Sequence, residues 1–325
     1  MNILVTGACG FVGTNLSNYL KDNHTLWALD ILEKPTTAYS NYYSWNDLDT
    51  LPWDEVNTII HLAGKAHDTK PRGRQCGDAM HCVSTEYFAI NTGLTRTIFD
   101  YFLQSKATQF IFFSSVKAVA DTIEGDFLTE DVVPKPIGPY GESKIKAEEY
   151  ILSKEQRIAG QARNDNKRVY ILRPCMIHGQ GNKGNLNLLY NIVSKGIPWP
   201  LGAFDNKRSF LSIDNLSYIV EQFILQNPES GIYHLADDEP VSTNELIKLI
   251  AESKGKKAKL WNCNKRFIKT LARIGDVCKL PLNSDRLQKL TENYVVSNQK
   301  VKQTLGTTKL PVTSVTGLKR TLATF

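Results

Sequence analysis

Met1-Asn2-Ile3-Leu4-Val5-Thr6-Gly7-Ala8-Cys9-Gly10-Phe11-Val12-Gly13 is the stretch whose reading decides the fold. An apolar run with strand character breaks into a glycine-spaced turn, and a helix follows. Gly7 permits the sharp turn, Gly10 leaves bare backbone for a pyrophosphate, and Gly13 lets the helix pack closely on the strand. The spacing is G-x-x-G-x-x-G, one residue longer than the commoner G-x-G-x-x-G, and the helix N-terminus offers unpaired N–H groups to an anion. Leu16, Tyr19 and Leu20 continue at helical spacing, and a second strand, Thr25 to Leu29, ends at Asp30. An acid there hydrogen-bonds the adenosine ribose diol and repels a 2′-phosphate. NAD is therefore expected, and Lys34, close by in sequence, keeps NADP possible.

Strand and helix signals go on alternating: Val56 to Leu62, a helix from Asn91 to Gln104, Gln109 to Phe113, a helix from Ser143 to Ser153, then Arg168 to Leu172. Continuous apolar runs of this kind read as parallel strands buried on both faces. The expected fold class is α/β, a Rossmann-like doubly wound parallel sheet over residues 1–172, with a smaller C-terminal substrate-binding lobe over 173–325. Beyond Arg173 the alternation weakens around one helix, Leu186 to Ser194. The strand-like Gly231 to Ala236 and the amphipathic helix Ser242 to Ser253 leave open a return of residues 210–240 to the main sheet.

The 325 residues are 42% apolar and 22% charged, with a formal charge of +6 and Lys and Arg spread along the chain, so nucleic acid is not implied. No run approaches the ~20 apolar residues of a membrane span, and a cytoplasmic protein is expected. Cys9, Cys76, Cys82, Cys175, Cys263 and Cys278 include no C-x-x-C and read as reduced thiols. Between Gly64 and Ser84, Lys65, His67, Cys76, His81 and Cys82 occupy a polar stretch. It reads as a loop over the substrate, with Lys65 and His67 as contacts; a zinc site there lacks the usual ligand spacing, and no metal is expected.

Two pieces suggest a reaction. Tyr140 and Lys144 in Pro139-Tyr140-Gly141-Glu142-Ser143-Lys144 share one helix face, and Ser114-Ser115 follow the strand Phe110 to Phe113 at the end where such sheets bind ligands. A phenol is a poor base near neutrality, and an adjacent ammonium favours its phenolate. Tyr140 is then the proton-exchanging group, Lys144 supplies the field and holds the nicotinamide ribose, and Ser115 hydrogen-bonds the same substrate oxygen.

With these residues the chain resembles the extended short-chain dehydrogenase/reductase family, in its NAD-dependent epimerase/dehydratase branch. The resemblance covers nearly the whole chain and rests on Thr6 to Gly13, Asp30, Asp47-Leu48, His61-Leu62-Ala63-Gly64, Asn91, Ser114-Ser115, Tyr140 to Lys144 and Arg173-Pro174. It implies Ser115, Tyr140 and Lys144 as catalytic triad, Asp47 and Leu48 at the adenine, and Leu62, Ala63 and Gly64 along the cofactor. The cofactor set expected is Gly7, Gly10, Phe11, Val12, Gly13, Asp30, Asp47, Leu48, Leu62, Ala63, Gly64, Asn91, Ser114, Tyr140, Lys144 and Pro174. Family members often pair through a four-helix interface that includes the tyrosine helix, which implies a homodimer.

In the smaller lobe, Lys183 to Leu186, Pro200 to Gly202 and Asn206 to Leu216 are similar to segments that hold a nucleoside diphosphate sugar. Carried over by position, Asn185 touches the diphosphate or the sugar, and Arg208 and Arg286 clamp the diphosphate, a duty that planar guanidinium groups suit. For Arg286 a solvated helix position is an equal reading. Dehydratase members carry Asp-Glu directly after the residue matching Ser115; Val116-Lys117 stand here, which argues against elimination of water. Lys117 reads as a donor to a substrate oxygen or as the partner of an acid such as Glu142. The nearest resemblance is to 4-epimerases and 4-ketoreductases of UDP-linked hexoses, including N-acetylated ones. Two other readings are kept: a non-catalytic NAD(P) sensor on the same fold, and a dehydrogenase of a steroid-like alcohol. Lys254 to Lys279, basic with Trp261, Phe267, Ile268, Leu271 and Ile274 interleaved, reads as a helix packed on the small lobe or as a segment lying on a membrane surface.

Overall fold

The computed structural model describes residues 1–31, 38–66, 84–158, 166–182, 184–278 and 283–325. Its strands are β1 (Asn2–Thr6), β2 (Thr25–Leu29), β3 (Asn41–Tyr43), β4 (Thr58–His61), β5 (Gln109–Phe113), β6 (Arg168–Pro174), β7 (Met176–His178), β8 (Phe210–Ser212) and β9 (Gly231–Leu235). The helices of the first half are α1 (Phe11–Leu20), α2 (Leu94–Gln104) and α3 (Pro139–Ile158). Those of the second are α4 (Asn185–Ser194), α5 (Ile213–Gln226), α6 (Thr243–Ser253), α7 (Lys265–Cys278), α8 (Ser284–Thr291), α9 (Gln299–Thr304) and α10 (Ser314–Leu322).

Seven strands form one parallel sheet in the order β3-β2-β1-β4-β5-β6-β9, and β7 and β8 form a separate parallel pair. Leu4 of β1 faces Trp27 of β2 on one side and Ile59 of β4 on the other, so the winding direction reverses at β1. A reversal of this kind opens a crevice at the C-terminal ends of the strands. Alternate side chains explain the unbroken apolar runs. Ile3 and Val5 point into a core shared with Leu16 and Leu20 of α1 and Phe223 of α5. Leu4 and Ile59 point the other way, into a core with Phe99 and Phe102 of α2 and Ile151 of α3. A third cluster, with Leu186, Tyr190, Trp199, Ile250 and Leu318, is the core of the smaller lobe.

Residues 213–235 return to the main sheet: β9 pairs with β6 from Tyr170↔Gly231 to Pro174↔Leu235, and α5 packs on α1. Side-chain caps start several helices of the second half, with Ser212 accepting from Asn215 N–H at α5 and Ser242 from Glu245 N–H at α6. The helix expected from Asn91 differs at its start. Residues Phe88–Gly93 form a π-helical turn before α2, and this wider turn carries Asn91 inward, where it is fully buried. Helix α7 buries Ile268 and Ala272 in the lobe core and leaves Phe267, Leu271 and Ile274 outside. Among the described residues no helix is long and apolar enough to cross a membrane.

Candidate active site

The glycine turn is built so that side chains cannot enter it. Gly7 has a φ of +69° and donates its N–H to Leu29 O at 3.0 Å, and a Cβ there would lie 2.8 Å from Ala63 N. A Cβ on Gly13 would lie 2.5 Å from Gly7 O, so β1, the turn and α1 are packed backbone on backbone. Gly10 caps α1 with no side chain bonded across its first turn, and the helix N-terminus faces a cleft of about 500 Å³. Asp30 closes the far side of this turn. Its carboxylate accepts from Cys9 N–H at 2.8 Å and from Ile31 N–H at 2.7 Å. Such a narrow backbone cradle with an acid beside it fits the diphosphate and ribose of a dinucleotide. Replacing Asp30 by Ser is expected to shift the affinity ratio of NADP to NAD upward by about tenfold, as read by fluorescence titration with each nucleotide. An unchanged ratio would remove Asp30 from the selection.

The next strand end is held by a proton chain whose polarity can be assigned. Thr95 Oγ1 donates to Asn91 O at 2.7 Å, so it must accept from His61 Nε2–H at 3.0 Å. His61 Nδ1 then accepts from Thr6 Oγ1 at 2.7 Å, and Thr6 Oγ1 accepts from Ala63 N–H at 3.2 Å. The imidazole is neutral: burial, with the Lys144 charge nearby, pushes its pKa down to about 3. Burial likewise lowers that of His234 to about 4. Both values lie below the ordinary ~6.5, so the unfolded chain binds these protons first. Their contribution to stability is complete above about pH 6.5 and is lost progressively as pH falls towards 4 and 3. Urea unfolding should show a lower midpoint at pH 5 than at pH 7.5, and NMR should show the His61 ring still neutral at pH 5; a ring that titrates near 6.5 would contradict this.

Asn91 extends the chain. Its Oδ1 accepts from Lys65 N–H at 2.7 Å, and its Nδ2 donates to Lys65 O at 3.1 Å and to Ser143 Oγ at 2.9 Å. With these bonds and no exposed surface, its side chain ties the loop after β4 to α3. Expected as a cofactor contact, it is instead enclosed by protein. Gly64 sits against the same cluster, where a Cβ would lie 3.0 Å from Asn91 Oδ1 and 3.1 Å from Lys144 Nζ.

Ser115, Tyr140 and Lys144 all line the cleft, together with Gly7, Gly10, Phe11, Val12, Gly13, Leu62, Gly64, Lys65, Ser114 and Pro174. Lys144 is buried and donates to Phe113 O at 2.8 Å. Burial pulls its pKa down to about 8, and Glu148 opposes the fall. Burial raises the phenol of Tyr140, whereas the Ser115 hydroxyl works in the opposite direction. Tyr87 packs edge-on against the Tyr140 ring at 6.2 Å. A phenol, a hydroxyl and an ammonium that converge on one cleft can pass a proton to or from a substrate hydroxyl.

The sequence reading missed the support beneath this group. Glu148, one turn after Lys144, has no exposed surface and holds Arg173 of β6 through Nε at 3.0 Å and Nη2 at 2.5 Å. Ser114 Oγ also donates to Glu148. The available signal is the i, i+4, i+8 series Tyr140, Lys144, Glu148, which puts a carboxylate on the buried side of the helix. Cys175, Met176, Ile177 and Asn182 also line the cleft and were not anticipated, and so do Gly184 and Leu186 of the segment expected to hold a nucleotide sugar. A larger groove of about 710 Å³ runs over Glu142, Glu149 and Leu152 of α3, and neither Tyr140 nor Ser115 lines it.

Of the other expected residues, Asp47, Leu48, Lys117, Arg208 and Arg286 lie outside the cleft lining. Asp47 Oδ2 caps its own turn, accepting from Ser44 N–H and Oγ at 2.7 Å each, and Leu48 packs beside the core below α2. Lys65 Nζ pairs with Glu86 at 2.8 Å. The expected pairing of Lys117 with Glu142 is corrected: its ammonium reaches Asp121 Oδ1 at 3.0 Å and lies over the Tyr294 ring, while Glu142 accepts from Gly138 N–H. The Arg208 guanidinium donates to Lys289 O on α8 and is partly desolvated, which lowers its pKa. Arg286 is exposed on α8. His67, Lys34, Cys76, His81, Cys82, Lys183 and the side chain of Asn185 lie outside what is described, and with them the candidate zinc loop.

Residues 3–236 match the family model for the NAD dependent epimerase/dehydratase family. The chain belongs to this family. Among curated relatives of this family member, a Vibrio cholerae UDP-glucose 4-epimerase is 30% identical over 100% of the chain and 95% of its own length. An Escherichia coli O157:H7 N-acetyl-alpha-D-glucosaminyl-diphospho-ditrans,octacis-undecaprenol 4-epimerase is 26% identical over 97% of the chain and 88% of its own length. Among solved structures, a Bacillus cereus UDP-glucuronic acid 4-epimerase in complex with NAD superimposes with a TM-score of 0.73 at 19% identity, over 100% of the chain and 98% of the other. The cofactor of the family is NAD, and the cradle around Gly7, Gly10, Gly13 and Asp30 fits it.

Proposed function

We propose that this family member is a 4-epimerase of a UDP-linked hexose or N-acetylhexosamine. The observation that carries the proposal is the convergence of Ser115, Tyr140 and Lys144 on the cleft that begins at the glycine turn. When bound, the nicotinamide supplies a reversible hydride acceptor. The chain supplies the proton chemistry: Tyr140 takes the proton of the sugar 4-hydroxyl and later returns it, while Ser115 holds the same oxygen. Below about pH 8 Lys144 is an ammonium, which stabilises the phenolate of Tyr140. Val116 and Lys117 replace the acid pair of dehydratases, and Val116 is buried in the core, which supports retention of the sugar's oxygens. The N-terminus of α4, capped by Gly184 at the cleft edge, and Asn185 are assigned to the diphosphate. Lys65 and His67 are assigned to the sugar, and Arg208 and Arg286 to the outer phosphate. We assign a homodimer through α2 and α3, which Tyr150 already links by its hydroxyl bond to Asp100 at 2.6 Å.

The deciding experiment incubates the purified protein with UDP-glucose, UDP-N-acetylglucosamine and their 4-keto forms while absorbance at the nicotinamide band is followed. Interconversion of epimers without net redox change supports the proposal. Stoichiometric consumption of reduced cofactor by a keto-sugar would instead make the protein a 4-ketoreductase.

A further inference from the structure

Net positive charge is densest in one segment of this protein. Residues 254–279 hold nine Lys or Arg against one acid, Asp276, a net +8, so the rest of a chain of net +6 carries −2. Against the other 30 Lys and Arg, which are spread along the chain, this segment stands out as a basic stretch. Lys254, Lys256, Lys257, Lys259, Lys265, Arg266, Lys269 and Arg273 are all exposed, and among the described residues none of them pairs with a carboxylate.

Apolar side chains stand in the same segment. Phe267, Leu271 and Ile274 follow one another at i, i+4 and i+7 on α7 and are 59%, 39% and 49% exposed, and Trp261 just before the helix is 58% exposed. Among the described residues of the helix, Ile268 and Ala272 join it to the lobe core. At 100° per residue, Arg266, Lys269 and Arg273 form a second exposed line on the other side of Thr270. A helix seated by one edge, with an outward apolar line and a parallel basic line, matches the interfacial type that lies in the plane of a bilayer.

We propose that α7 and the preceding lysine-rich segment dock this protein on an anionic lipid surface. Phe267, Leu271, Ile274 and Trp261 enter the headgroup region, and the basic line meets the lipid phosphates. Charge selects this occupant. A second copy of the chain would bring +8 against +8 across a symmetric contact, and aliphatic tips beside the basic groups suit acyl chains better than nucleic acid. Docking requires no sugar or cofactor, so it does not depend on the reaction assigned above.

The test is sedimentation of the full-length protein with vesicles of phosphatidylcholine alone or phosphatidylcholine with phosphatidylglycerol. The expected result is binding only where phosphatidylglycerol is present, weakened by high salt. Lys269→Glu with Arg273→Glu should lower the partition coefficient more than about tenfold. Phe267→Ser with Leu271→Ser should lower it with the charge unchanged. Both variants should keep the thermal midpoint and the epimerase turnover on a soluble UDP-sugar. Absence of binding at low salt overturns the proposal, as does binding that both variants share. Vesicle-independent retention on nucleic acid that the charge variant abolishes, or loss of a dimer in the apolar variant without vesicle binding, overturns it in favour of that other occupant.

Discussion

The Tyr140→Phe protein is expected to bind NAD and UDP as the parent does and to turn over roughly 10²–10⁴-fold more slowly. The change removes one oxygen and little else. The ring keeps its edge-on contact with Tyr87, and α3 keeps its hold on β5 and β6 through Lys144 and Glu148. Ser115 and Lys144 remain, so the residual activity measures what positioning achieves without the proton-exchanging group. Initial rates with a UDP-hexose, alongside isothermal titration with UDP, separate the two effects. Parent-like turnover would remove Tyr140 from the chemistry.

The Glu148→Gln protein is expected to lose about 3–5 kcal/mol of stability, because Arg173 stays buried with its charge uncompensated. Arg173 is 2% exposed and Glu148 not at all, so water cannot take over the missing bonds. A fall of roughly 6–20 °C in the thermal midpoint corresponds to that loss. Glu148→Leu combined with Arg173→Met should recover most of it, since a buried ion pair replaced by apolar groups of similar volume costs little. A catalytic readout distinguishes positioning from mere support. Glu148 raises the pKa of Lys144, which burial lowers to about 8. Because the ammonium is the active form and exists below that value, activity declines as pH rises through it. Without the carboxylate the alkaline limb of kcat should move to lower pH. A variant that is less stable but has an unmoved limb would leave Glu148 a purely structural residue.

Local signals made much of this molecule legible. The strand, turn and helix of residues 2–20 are contiguous, so one stretch of sequence contains its own geometry. Ser115 at a strand end and Tyr140 and Lys144 at helical spacing are likewise short-range patterns. What escaped reading depends on distance along the chain. Glu148 meets Arg173 25 residues away, His61 meets Thr95 34 away and Thr6 55 away. No spacing rule joins such partners before the sheet brings them together. Strands β3, β7 and β8, three residues each, are too short to show a period. Arg208 shows the converse. Its sequence context suits the phosphate clamp proposed for it, whereas its bond to the Lys289 carbonyl of α8, 81 residues further on, is announced by no neighbouring residue.

The position of β9 has a consequence for how the protein is made. Strand β6 is complete at residue 174, but its pairing partner begins at residue 231, and Glu221 of α5, which bonds Tyr19 and Asn23 near the end of α1, comes about 200 residues after them. A nascent chain leaving the ribosome at ~5–20 residues per second therefore spends several seconds with one sheet edge open, and about 10–40 s with the flank of α1 that α5 covers exposed. Synthesis of this enzyme has a built-in vulnerable interval, and aggregation in cells should depend on translation speed across residues 175–235 more than on the stability of the finished fold.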